Sequence, residues 1–135
     1  MDLAALDKDL QEIVIKKNEL SEMDYNDEKY DDVEEALHDL EDVFMEKYGD
    51  FLEDALYDVH DEFCPDSEVL MPIAYMAKKY IVDGDRFDVS FSEGVYVEMD
   101  DYPGKETKLV FLPNPTRILL QIDKDTRETV WQAGK

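Results

Sequence analysis

Between Asp27 and Phe63, apolar residues recur at Tyr30, Val33, Leu37, Leu40, Phe44, Tyr48, Phe51, Ala55, Val59 and Phe63. Steps of three and four put all of these side chains on one stripe of an α-helix, whereas a strand would need alternation by two. The intervening positions are mostly carboxylates, so this run must lay one face on a core and leave the other in water. Gly49 and Asp50 interrupt the composition but not the phase. Gly suits a helix C-terminus, and Asp50-x-x-Glu53 resembles a capping box that restarts a helix. A Gly inside one continuous helix costs about 1 kcal/mol relative to Ala. The expectation is two helices meeting at a sharp joint there.

The flanking segments extend the helical half over about residues 2–82. A first helix is expected from Asp2 to Leu20, with Leu3, Leu6, Leu10, Ile13, Val14 and Leu20 on one face and Asp2 as its cap. Ser21 to Asn26 is polar and aperiodic, a connection. Cys64-Pro65-Asp66 ends the long run, because Pro cannot continue the hydrogen-bond ladder. Pro72 is suited to the first turn of a further helix, Pro72 to Val82, burying Ile73, Met76, Ala77, Tyr80 and Ile81. Lys78 and Lys79 would complement its dipole.

From Arg86 the period switches to two, and five antiparallel strands in a meander over about residues 86–132 fit the turns. Phe87, Val89 and Phe91 alternate, as do Val95, Val97 and Met99, with Ser92-Glu93-Gly94 as a three-residue hairpin loop. Thr107 to Leu112 then sets Leu109 with Val97 and Phe111 with Val95. The turn Pro113-Asn114-Pro115 pairs Phe111 with Ile118 and Leu109 with Leu120. The last hairpin, Asp123 to Thr126, sets Ile122 against Arg127, Leu120 against Thr129, and Ile118 against Trp131. Trp131 therefore belongs on the inner face. The opposite face carries Tyr96, Val110, Leu112, Leu119 and Val130, too apolar for a solvated sheet, so either a helix of the same chain or a second copy should cover it. The fold expected is α+β, three or four helices followed by the five-stranded sheet, as one domain of 135 residues.

Thirty-six acidic side chains against 14 basic give a net charge of −22. Residues 1–80 carry −18 of it and residues 81–135 the other −4. Such a field repels phosphate backbones and anionic bilayers, which makes direct nucleic-acid binding and membrane association the least expected roles and leaves basic proteins, or no partner at all. Salt adaptation would also make a surface acidic, but Lys outnumbers Arg 11 to 3, which argues against it. The 44% hydrophobic content is too high for a chain that stays disordered. One cysteine, Cys64, allows no internal disulfide, and no leader or membrane-length apolar run is read at the amino terminus, so a cytoplasmic setting is expected.

The chemical motifs are incomplete. Glu35-x-x-His38 has the ligand spacing of di-iron bundles, but such a site needs the pair twice, and the second histidine reads Tyr57-x-x-His60. Glu35 and His38 remain as the metal candidates. His60 and Cys64 could share a zinc ion, yet no other Cys or His pair completes four ligands. Asp123-x-Asp125 lacks the Gly and closing Glu of a calcium loop. Five glycines, none in a phosphate-cradling spacing, give no reason to expect a nucleotide, and no cofactor is expected.

What remains is the carboxylate face itself: Asp31, Asp32, Glu34, Glu35, Asp39, Glu41, Asp42 and Glu46, offset between Asp27 and Phe63 by Lys29 and Lys47 alone. Repulsive i,i+4 pairs such as Asp31 with Glu35 and Asp42 with Glu46 each cost a few tenths of a kcal/mol. The functional expectation is a small non-enzymatic module that offers this face to a basic partner, as immunity proteins and DNA-mimic inhibitors do, an analogy of charge alone. Two alternatives stand beside it. One is a metal or enzymatic site around Glu35 and His38; the other is a homodimer joined through Tyr96, Val110, Leu112 and Leu119.

Overall fold

Asp2 opens the first helix as expected, its carboxylate accepting the Ala5 amide at 3.0 Å. In the computed structural model, which describes Met1 to Lys135, α1 spans Leu3–Ser21 and turns Leu6, Leu10, Ile13 and Val14 into the core. α2 spans Tyr30–Phe63, 34 residues and about 51 Å at 1.5 Å per residue. The two run antiparallel. Tyr48 donates its hydroxyl proton to Asp9 at 2.7 Å near one end of the contact, and Lys17 reaches Glu41 at 4.0 Å nearer the other.

No joint exists at Gly49–Asp50, so the long run is one helix rather than two. The unbroken phase of the stripe outweighs the local stop signal: Gly49 lies buried in mid-helix, packed beside Met45 of the preceding turn. Past Gly49 the buried face widens to take in Leu52 and Leu56, which are fully enclosed, because this half of α2 lies against the sheet. Phe51 meets Trp131 edge-on at 6.0 Å. A Cβ at Gly49 would approach the flexible tip of Met45 at 3.2 Å. Gly49→Ala is therefore expected to stabilise the protein by about 0.5–1 kcal/mol. A loss of stability in urea titration would show that Met45 cannot move aside.

The helix expected at Pro72–Val82 shrinks to one 3₁₀ turn, Pro72–Tyr75, and the chain is already extended at Met76. Tertiary partners take the amides that a helix would have used. Ala77 donates to the Tyr80 hydroxyl, Lys78 and Lys79 to the Glu93 carboxylate, and Tyr80 to the Asn18 side chain, at 2.7 to 3.1 Å. Asn18 also donates to the Tyr80 carbonyl, which fastens this segment to α1. The helix count is two.

Six short strands follow, in two sheets. β1 (Ile81–Asp83) and β2 (Arg86–Asp88) form a hairpin around Gly84, whose φ of +60° suits the turn. β3 (Val95–Tyr96), β4 (Lys108–Leu112), β5 (Arg117–Asp123) and β6 (Thr126–Gln132) form a four-stranded antiparallel meander in sequence order. The expected pairs Phe111 with Ile118, Leu109 with Leu120, and Ile118 with Trp131 are all present. Elsewhere the register slips. Leu109 faces Val95 rather than Val97, a shift of two that keeps both on the inner face. Leu120 faces Glu128 and Gln121 faces Arg127, because irregularities between Ile118 and Leu119, and again between Gln121 and Asp123, move the pairing by one.

The sheet is not a five-stranded meander, because Phe87 to Phe91 does not pair with Val95 to Met99. Instead this stretch crosses the outer face of the meander. The Gln121 amide donates to the carbonyls of Ser90 and Glu93 at 3.0 and 2.9 Å. The Lys108 ammonium stands 5.0 Å above the Phe91 ring, and Arg127 pairs with Asp88. Register puts Lys108, Val110, Leu112, Leu119, Gln121 and Arg127 on this one face. The segment therefore covers the apolar patch that the sequence leaves open. Gly94 lets it return: at φ +114° it passes so close that a Cβ would sit 2.7 Å from the Leu109 carbonyl oxygen. The result is three layers, the helices on one side, the meander in the middle and residues 85–93 on the other side, with one cluster of 27 buried apolar residues.

Candidate interaction surface

α2 presents its outward side as a carboxylate surface because the helix period turns most residues off the buried stripe toward water. Of the eight acidic residues singled out by the sequence, Asp31, Asp32, Glu35, Asp39, Asp42 and Glu46 are exposed, while Glu34 and Glu41 are half-buried. Glu41 turns toward α1, where Lys17 meets it. It is the sole α2 carboxylate with a cation inside 4 Å. The one lysine in the helix, Lys47, reaches back to Asp9 of α1. Asp50, Glu53, Asp54, Asp58, Asp61 and Glu62 continue the exposed series to the helix C-terminus. There the negative end of the helix dipole adds to their field instead of offsetting it. Two apolar side chains break the series, Val43 at 49% exposure and Tyr57 at 50%. Both lie outside the acidic face expected from the sequence, although neither falls on the apolar stripe.

The metal candidates are not brought together with other ligands. Glu35 and His38 are both exposed on α2, and nowhere does the fold gather three His, Cys, Asp or Glu side chains around a common point. His60 is different from His38 in every respect. It is buried, with Nδ1 3.0 Å from the Ser67 carbonyl oxygen and Nε2 2.9 Å from the Tyr75 hydroxyl. A carbonyl can only accept, so Nδ1 carries the proton, and the Tyr75 hydroxyl donates to Nε2 while accepting the Leu70 amide at 2.9 Å. Every polar atom of this chain of contacts is used in holding residues 67–75 against α2. Cys64 is fully enclosed, and burial pushes its thiol up to about 11, away from reactivity. Asp123 closes the β5–β6 turn by accepting the Asp125 amide at 2.9 Å, which holds its carboxyl below the usual range.

The residues of the expected dimer face are not presented together at the surface. Val110, Leu112 and Leu119 are buried under the chain's own residues 85–93, and Tyr96 alone remains exposed. The observed cover is a segment of the same chain rather than one of its helices. No helix is long and apolar enough to cross a membrane.

A second polar feature lies at the far side of the molecule, where sequence reasoning placed nothing. β2, the β4–β5 turn, the start of β5 and β6 enclose a concavity of about 380 Å³ lined by Asp85, Arg86, Phe87, Asp88, Asn114, Pro115, Arg117 and Arg127. No family model, no curated protein and no solved structure matches this chain.

Proposed function

We propose that the protein is a non-enzymatic interaction module whose outward face of α2 binds a basic protein. The observation that carries this reading is the exposed carboxylate series from Asp31 to Glu62, which lies on one rigid helix and finds no cation of its own chain beyond Lys17 at Glu41. A rigid scaffold loses little conformational freedom on binding, and unpaired like charges in file give up their mutual repulsion when a basic surface meets them. Val43 and Tyr57 supply apolar contact area amid the charge, Tyr being a common anchor in protein interfaces. A basic toxin or a basic nucleic-acid-binding protein has the matching chemistry, and long-range attraction between opposite fields would speed the encounter.

The test compares two triple charge reversals in capture from native lysate. Asp39→Lys, Asp42→Lys and Glu46→Lys together alter the proposed face; Asp83→Lys, Glu106→Lys and Glu128→Lys change net charge equally on the sheet side. Basic proteins are expected on the wild type and on the sheet-side variant, to be absent from the α2 variant, and to elute before about 1 M salt, where screening extends only about 3 Å. Equal loss in both variants would reduce the effect to net charge and remove the face as a site, as would retention that salt leaves untouched.

A further inference from the structure

We propose that the concavity ringed by Arg86, Arg117 and Arg127 binds a small phosphate monoester with a polar, non-aromatic body, the phosphate resting on the three guanidinium groups. The chain has three arginines against 11 lysines, and all three arginines line this one hollow while no lysine does. In a protein of net charge −22, the hollow sets these three arginines against Asp85 and Asp88, one net positive charge. It is built from the side chain whose planar fork of donors matches oxyanions, not from the interchangeable point charges of a lysine surface.

The donors are not all consumed by the fold. Arg117 is half-buried and spends one terminal nitrogen on the Pro113 and Pro115 carbonyls, at 2.8 and 3.0 Å, with the other 3.5 Å from the Phe87 carbonyl. None of those partners carries a charge, and no carboxylate lies within 4 Å of this guanidinium. Burial accordingly holds its pKa below the usual arginine range, with Asp88 nearby a partial offset. A bound anion would supply the missing counter-charge. Arg86 is exposed and takes part in no ion pair. Arg127 pairs with the Asp88 carboxylate through both terminal nitrogens, so a bound phosphate would share or displace that carboxylate at this guanidinium. At about 380 Å³ the space exceeds what a phosphate alone fills, and its lining is polar apart from Phe87 and Pro115. No pair of aromatic faces is there to sandwich a base, which favours a sugar-like body over a nucleobase.

The probes are glucose 6-phosphate, inorganic phosphate and AMP, each titrated into isotope-labelled protein at constant ionic strength in sodium chloride. Glucose 6-phosphate is expected to shift the Asn114, Arg117 and Arg127 signals saturably and to bind more tightly than either other probe. Arg86→Gln should weaken that binding about tenfold, a loss typical of one charge-assisted contact, with no change in melting temperature because the side chain has no partner to lose. Lys124→Gln, a charge loss on the exposed β5–β6 turn, should leave it unchanged. Shifts that rise linearly without saturating, or equal weakening by the two variants, would overturn the site. Tighter binding of AMP or of inorganic phosphate would overturn the assigned body.

Discussion

Replacing Tyr80 by Phe is expected to lower stability by about 2–4 kcal/mol, and the melting temperature by roughly 10 °C. The ring would still fit; the loss comes from two backbone groups. The Tyr80 hydroxyl accepts the Ala77 amide at 3.0 Å and donates to the Phe111 carbonyl at 2.8 Å, all in a site with 2% exposure. Without the oxygen, a buried N–H and a buried C=O are left with no partner, and each unsatisfied group costs about 1–3 kcal/mol. Tyr80 also joins three parts of the molecule, since its own backbone is bonded in both directions to Asn18 on α1 while its hydroxyl reaches β4. Urea unfolding of the single variant measures the effect. A loss below about 1 kcal/mol would show that the two groups find other donors and acceptors, and that Tyr80 is not the link.

Alkaline pH should unfold the protein well before any backbone chemistry begins. Burial raises Cys64 from 9.0 to about 11, and burial together with the Asp9 bond raises Tyr48 from 10.0 to about 12. Burial also raises Tyr75 and Tyr80 above 10.0. A group whose folded pKa lies above its unfolded value keeps its proton longer in the folded state. Its contribution is complete below the unfolded pKa and is lost as pH climbs toward the folded one. Cys64 therefore begins to erode stability near pH 9, and the tyrosines join near pH 10. Each enclosed group, Cys64, Tyr75 and Tyr80, removes at most about 1.4 kcal/mol per pH unit across its own window and Tyr48 less, so unfolding free energy should fall between about pH 9.5 and 10.5. Denaturant titrations at pH 8, 9, 10 and 10.5 test this, and tyrosinate absorbance should rise in one step with unfolding for Tyr75 and Tyr80. Cys64→Ala should flatten the curve between pH 9 and 10 while lowering its starting value. A free energy unchanged from pH 8 to 10.5 would contradict the assignment of these groups as buried acids.

The helical half was legible wherever a pattern repeats along many residues. The stripe from Tyr30 to Phe63, the cap at Asp2 and the outward carboxylates each follow from spacing. The stripe's unbroken phase pointed past Gly49 to one helix, and the local signals of Gly and a capping box misled because helix packing overrides a penalty near 1 kcal/mol. Pairings set by tight turns were legible too: the Pro113-Asn114-Pro115 turn brings Phe111 to Ile118, and Trp131 faces Ile118 as the alternation requires. The slips on either side come from irregular pairing and from Gly94's close pass, neither of which alters the alternation that a sequence displays.

For the candidate surface, the positions on α2 came from periodicity, but the separation of Glu41, paired with Lys17, from its exposed neighbours needed the approach of α1. The arginine hollow needed more still, since Arg86, Arg117 and Arg127 are spread over three strands. By itself the sequence determined the two long helical faces, the sign of the charge they carry and the inner face of the meander, because each is a local period in which every residue votes for the same geometry. Only the tertiary structure decided that Pro72 to Val82 would abandon a helix and that residues 85–93 would cover the sheet's outer face. It alone decided, too, that three arginines would share one cavity. Those outcomes hang on single long-range contacts, Tyr80 with Asn18 and Phe111, Gln121 with Ser90 and Glu93, Arg127 with Asp88. A lone contact between distant residues leaves no period in the chain to read.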